Sequence, residues 1–249
     1  MPVPRKSANK SLLRRPQRAV AIRAIRGYRT VACVAACALA GSAPWDLEAR
    51  VLAEIYHRVA DIRRCGDNPI KEQVERWRRQ GRIILMRTWE QRLMNPTAGH
   101  RVVEAIRPIL DEWVCSRNRN LTFRMVQVLT GHGCFGHYLF AIGREPSKRC
   151  HHCVSEDDTA QHTLAECPAW EEQRRGLRNV VGTDLSLPTI MQMMVRNRVA
   201  WAAMASFCEK VMSLKEADER EREKAPSSDP IRRRRVGRRR TAHERRLPP

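Results

Sequence analysis

Three cysteines and one histidine recur at the spacing C-x2-C-x8-H-x4-C within the segment CHHCVSEDDTAQHTLAEC, as Cys150, Cys153, His162 and Cys167. No other feature constrains the fold of this 249-residue chain as much. Three soft thiolates and one imidazole form a closed tetrahedral donor set, which suits Zn²⁺ and leaves no position open for a reacting water. The spacing therefore predicts a metal that builds structure and does not catalyse. Between the donors, Ser155, Glu156, Asp157 and Asp158 are polar and turn-forming, as a loop around an ion requires. His151 and His152 are substitute ligands by residue type, and are read here as exposed neighbours of the loop.

The other six of the nine cysteines, Cys33, Cys37, Cys65, Cys115, Cys134 and Cys208, show no framework spacing, which favours a reducing compartment. The run VACVAACALA followed by Gly41, Ser42 and Ala43 mimics a secretory leader. Its long basic lead, a Thr30 cap before it and Gly41 after it predict instead a short buried helix. No apolar run approaches the roughly 20 residues of a membrane span, so the expectation is a chain that is neither secreted nor membrane-embedded.

Helical periodicity recurs along the chain and strand signals are nearly absent. Leu12 to Ile25 predicts a helix interrupted near Pro16, and Pro44 opens another. Asn68 and Pro69 start a longer one that Gly81 divides or kinks and Asn95-Pro96 closes, and the segment around Pro108 continues with helical spacing. After Leu121 to Leu129, three glycines (Gly131, Gly133, Gly136) break the chain beside His132 and His137. Exposed amides there can cradle a phosphate. With no preceding strand and no Lys-Ser/Thr ending, tight turns are the plainer reading. Pro168 is placed as the first residue of a helix, and Pro188 opens a last helix through Leu214 before the charged run KEADEREREK.

The formal net charge of +20 sits at the ends. Residues 1–30 hold nine Lys or Arg and no acid, whereas residues 225–249 hold nine Arg against two acids. Basic arms around a nearly balanced body suit neutralisation of nucleic-acid phosphates, and IRRRRVGRRR also fits a nuclear-localisation signal. Candidate phosphate contacts are Arg144, Lys148 and Arg149 beside the cysteine loop, and Arg232, Arg233, Arg234, Arg235, Arg238, Arg239 and Arg240 in the tail.

The expected architecture is mainly α: a helical, bundle-like region with a small zinc-knuckle insertion and a disordered basic tail. Its segments are a basic N-terminal stretch (1–30), a helical region (31–142), the Cys₃His knuckle (143–178), a C-terminal helix (179–224) and the Arg-rich tail (225–249).

The segments GYRTVACVAACALAGSAPWDLE, LTFRMVQVLTGHGCFGHYL, CHHCVSEDDTAQHTLAECPAW and WAAMASFCEKVM resemble the C-terminal part of the reverse transcriptase polyprotein of non-LTR retrotransposons, of the arthropod type that inserts into ribosomal RNA genes. The likeness covers about residues 11 to 224. It implies a parent with an endonuclease that nicks target DNA, a polymerase (a nucleotidyltransferase using Mg²⁺) that copies element RNA from the nick, and a C-terminal zinc knuckle that helps hold nucleic acid. Only Cys150, Cys153, His162 and Cys167 carry over as family site residues. Helical region 31–142 then corresponds to the thumb-side end of the polymerase and a connector. Two-metal polymerisation needs a carboxylate pair after an aromatic and a small residue. The only adjacent aspartates, Asp157 and Asp158, follow Ser155 and Glu156 inside the cysteine loop and do not match, so the chain alone is expected to be inactive. RNA or DNA and other regions of the parent are the implied partners, and the nucleus, after cytoplasmic synthesis, is the implied location. The alternative is a protein-interaction module in which zinc clips two helices and the Met/Trp face of residues 190–214 meets another part of the parent.

Overall fold

The computed structural model describes residues 5–116 and 120–232, with side chains from Leu12 onward. Among the described residues there is no strand, and helices α1 (Arg5–Ala24), α2 (Cys33–Ala40), α3 (Trp45–Arg64), α4 (Lys71–Leu93), α5 (His100–Ile106), α6 (Leu110–Cys115), α7 (Phe123–Thr130), α8 (Gly136–Ala141), α9 (Glu171–Val181), α10 (Leu187–Arg196) and α11 (Arg198–Lys224) form the frame. No helix among them is long and apolar enough to cross a membrane.

Helix α2 is the apolar run of the sequence, and it lies inside the protein: Cys33, Ala35, Ala36, Cys37, Ala38 and Leu39 are all buried. Its small side chains let α1 and α5 approach closely. Gly41 ends it in the left-handed conformation, φ 61°, which favours glycine. The expected Thr30 cap is absent, because Ala32 stands at the N-cap and the Thr30 hydroxyl meets Tyr138 Oη at 2.9 Å. Trp113, fully buried, donates its indole N–H to the Leu39 carbonyl at 3.2 Å. That bond satisfies the one polar atom an interior tryptophan brings with it.

Two expected interruptions do not occur. Helix α1 runs through Pro16, and the next residue shows what holds it there. Gln17 donates to the Ala43 carbonyl at 2.7 Å and accepts from the Trp45 amide at 3.1 Å, so tertiary bonds pin the helix beside the missing donor. Helix α4 is continuous through Gly81, which faces Val51 of α3 where a side chain would collide. Helices α3 and α4 thus pack as an antiparallel hairpin, forked at its base by Arg92 on Asp46 at 2.8 and 2.9 Å. That base joins the core through Leu47, Leu85, Met86, Trp89 and Leu93.

A further break divides the expected last helix in two, where Asn197 leaves the helical conformation and its side chain accepts from the Val199 amide at 2.8 Å. The turn lets α10 fold back onto α11, so that Ile190, Met191, Met194, Met204 and Phe207 are buried together. Helix α11 is the spine of the C-terminal half, packing against α7, α9 and α10. The tail is expected from sequence to leave order at Ala225, but residues 230–232 form a further turn whose Arg232 side chain is buried. Replacing Asn197 by Ala removes the cap and is expected to cost about 1 kcal/mol in urea unfolding. Unchanged stability would mean that packing alone sets the turn.

Candidate metal centre and its basic surroundings

The four sequence-predicted donors come together. One ligand atom from each of Cys150, Cys153, His162 and Cys167 lies within 4.8 Å of every other. Cys150 Sγ and Cys167 Sγ are 3.9 Å apart, and Cys153 Sγ and His162 Nε2 are 3.2 Å apart. For tetrahedral Zn²⁺ with bonds of about 2.3 Å to sulfur and 2.0–2.1 Å to nitrogen, the corresponding edges are about 3.8 and 3.5 Å.

Local backbone produces this geometry. The Cys150 amide donates to the Ser155 carbonyl at 2.9 Å, closing the loop. The amides of His152 and Ser155 point at the sulfurs of Cys150 and Cys153 at 3.4 and 3.5 Å and hold both side chains toward the cluster. Thr159 accepts from the His162 amide at 2.9 Å and starts a helical turn that widens over His162–Glu166. The Cys167 amide bonds the His162 carbonyl at 2.8 Å, five residues back, which swings Cys167 toward the pair. The second ring nitrogen of His162, Nδ1, faces Glu166 at 3.5 Å, leaving Nε2 for the cluster. Burial pushes the Cys150 thiol up and Cys167 up to about 12, so a cation among the sulfurs is what would turn them into thiolates. The donor set, its spacing and these surrounding bonds fit a divalent metal.

Two buried cations, Lys215 and Arg174, hold this loop on the helices. Lys215 of α11 binds both oxygens of Asp158, at 2.8 and 3.0 Å, and both groups are almost completely buried. Asp158 also accepts from Thr163 Oγ1 at 3.2 Å and from the Gly136 amide at 2.9 Å. A side chain at position 136 would press on the carbonyls of Lys148 and Arg149 at 2.6 Å, so only glycine fits this approach. On the other side Arg174 of α9, wholly buried, donates to the carbonyls of Thr163, Leu164 and Cys167 at 3.2, 2.9 and 2.7 Å, and to Glu171. Both cations have a signal in the sequence. Lys215 continues the apolar register of Cys208, Val211 and Met212, and Arg174 sits between Trp170 and Leu177.

The glycine run thus makes turns, as its plainer reading holds, and the anion that the Gly136 amide meets is the protein's own Asp158. Asp157 is exposed and bonds His137 Nδ1 at 2.8 Å, so the two aspartates diverge. Of the two spare histidines, His151 Nε2 turns to Glu145 at 3.0 Å. His152 packs on Trp170, ring centroids 4.8 Å apart, and burial lowers it to about 4. It is therefore half-buried packing, where the sequence suggests an exposed neighbour.

The candidate phosphate contacts separate into two groups. Lys148 and Arg149 are exposed, the first with its ammonium 5.7 Å from the Phe140 ring and the second loosely paired with Glu156 at 3.4 Å. Arg144 and Arg232 turn their guanidinium groups to partners inside the protein. Arg144 binds Glu223 at 2.5 Å and the Arg232 carbonyl at 2.8 Å, while Arg232 binds the buried carboxylate of Glu145 at 2.5 and 2.6 Å. They latch the segment that follows α11 beside the Cys₃His loop. Arg233, Arg234, Arg235, Arg238, Arg239 and Arg240 lie outside the described residues.

Fold and site together define a helical protein carrying a Cys₃His loop that could hold a metal, clamped between α8, α9 and α11. The chain is 30% identical over 203 residues, 76% of its length, to the Retrovirus-related Pol polyprotein from type-1 retrotransposable element R1 4 of Nasonia vitripennis, and spans about half (49%) of that protein's length. It belongs with the Pol polyproteins of non-LTR retrotransposons, as a C-terminal region. No protein-family model and no solved structure matches it.

Lys215→Met leaves Asp158 charged and buried, and is expected to cost about 3–5 kcal/mol. The double variant Lys215→Met, Asp158→Asn removes both charges and is expected to cost less than the single one. Urea unfolding measures both, and a double variant at least as destabilised as Lys215→Met would show that the pair is not coupled.

Proposed function

We propose that the chain is a zinc-containing nucleic-acid-binding segment of a longer Pol polyprotein, acting in the nucleus in the transposition of its element. The observation that carries this reading is the donor cluster itself, held rigid by two buried cations, with Lys148 and Arg149 exposed at its edge. A closed Cys₃His site binds Zn²⁺ and does no chemistry of its own. It fixes the loop, so that the exposed basic side chains meet phosphates without paying the entropy of ordering it. The likeness to a protein named as a Pol polyprotein supports this role. Polymerase and endonuclease steps are assigned to the rest of such a parent, since Asp158 is neutralised by Lys215 and cannot hold Mg²⁺ with Asp157.

A protein-interaction module is the second reading. Its main surface is taken up here, because Met191, Met194, Met204 and Phe207 are buried within the protein and Trp201 stacks on Trp113, centroids 5.9 Å apart.

Filter binding of labelled RNA and DNA at several salt concentrations tests the proposal. Truncation after Arg232 keeps the latch and removes the arginine run. It should flatten log K against log salt by about 0.7–0.9 for each phosphate that the run neutralises in the full chain. Lys148→Ala with Arg149→Ala should flatten it by the equivalent of at most about two phosphates. Absence of salt-dependent binding by the full chain would overturn the reading.

A further inference from the structure

Away from the Cys₃His loop, helix α2 carries two thiols on one face. Cys33 and Cys37, about one helical turn apart, bring their sulfurs to 4.0 Å, and both line a cavity of about 350 Å³ between α1, α2 and the end of α4. That volume is within the range of small-ligand pockets. Leu13, Trp89 and Leu93 give the cavity apolar walls, and Arg14, an exposed residue of α1, stands at its edge. Cys33 is the first residue of α2, where the unpaired amides of a helix's first turn favour negative charge. Two arginines of α1 add to this. Arg18 Nη2 donates to the Val31 carbonyl at 3.0 Å, two residues before Cys33, and Arg14 lies beside the Cys33 thiol itself. The carboxylate that borders the cavity, Asp46, is already forked by Arg92. The Cys37 thiol, and after it the Arg14 guanidinium, hold Cys33 below the usual thiol range against the opposing effect of burial, and the same contact raises Cys37. One sulfur of the pair is thus set up as the thiolate and the other as its donor.

We propose that Cys33 is a nucleophilic modification site, which admits a small disulfide to this cavity and retains one half of it as a mixed disulfide. The Cys33 thiolate attacks one sulfur of R–S–S–R. The new Sγ–S bond forms as the S–S bond breaks, and the other half leaves with the electron pair as RS⁻, to be protonated by water. Cys33 sulfur is oxidised and the leaving sulfur reduced, so the disulfide is the only oxidant needed. Arg14 at the edge suits a disulfide that carries carboxylates. Cys37 does not complete the exchange. Cβ atoms four residues apart on a helix lie about 5–6 Å from each other, against about 3.5–4.5 Å in a disulfide, so closing Cys33 onto Cys37 requires α2 to unwind. Packing of α2 against α1 and α5 opposes that. The product therefore stops at the mixed disulfide, and an excess of free thiol reverses it.

This site shares no residue with the Cys₃His loop, so its failure leaves the nucleic-acid reading standing. The test is oxidised glutathione on the full chain, with each cysteine followed separately by peptide mass mapping. At pH 7 Cys33 is expected to be modified about tenfold faster than the exposed Cys65 and Cys115, because an ordinary thiol is only a few per cent thiolate at that pH. Its rate against pH should have a lower midpoint than theirs. Arg14→Met, an exposed change, should slow the reaction severalfold and raise the midpoint. Cys37→Ala should raise the midpoint too, and Cys37→Ser, which keeps a donor, should restore it. If Cys37→Ala does not fold, the Arg14→Met profile still decides. Modification of Cys33 no faster than that of Cys65, or a midpoint that Arg14→Met leaves in place, would overturn the proposal. A Cys33–Cys37 disulfide as the end product would overturn the arrest at the mixed disulfide.

Discussion

A lysine and an aspartate buried against each other hold the C-terminal half together. Two unit charges removed from water cost several kcal/mol each unless every remaining hydrogen-bonding position is filled. Around Asp158 they are filled: Lys215 takes both oxygens, and Thr163 and the Gly136 amide take what is left. Lys215 further lies 5.4 Å from the face of Phe135. Because these groups come from α11, the metal loop and the glycine turn, any change in their relative position leaves a charge unpaired. The pair thereby fixes the loop's orientation on the helices before a metal is considered.

Arg174 completes the clamp by a different route. The widened turn that carries His162 toward Cys167 leaves carbonyls without helical partners, and a buried orphan carbonyl is costly. Arg174 donates to three carbonyls of this stretch. The latch formed by Arg144, Glu145 and Arg232 applies the same logic to the segment after α11, where a carboxylate only 2% exposed demands a cation. Basic residues in this half of the protein are thus divided between internal struts and a small exposed group at the loop's edge.

The donor spacing and the α-helical class were legible in the sequence because both depend on short-range patterns: Cys150 and Cys153 in a C-x2-C pair, and apolar residues at helical intervals. So was the burial of VACVAACALA, in which every side chain is small or apolar. Pro16 and Gly81 misled, since their local preference for a break is overridden by Gln17 bonding across 26 residues and by Val51 packing on α4. Asn197 was missed because its cap competes with a strong apolar register on both sides. The burial of Lys215, Arg174 and Arg232 is not written in their own neighbourhoods, because a charged residue is interior only when its partner arrives from elsewhere in the chain. Asp158, Thr163 and Glu145 are such partners, lying 57, 11 and 87 residues away.

Cys150, Cys153, His162 and Cys167 holding one structural zinc is the claim on which the proposed function rests. X-ray absorption at the zinc edge, on protein loaded with one equivalent, tests it most directly. The predicted first shell is three sulfurs at about 2.3 Å and one nitrogen at about 2.0–2.1 Å. A shell dominated by oxygen, or one unchanged when Cys153 and Cys167 are both replaced by Ser, would contradict it.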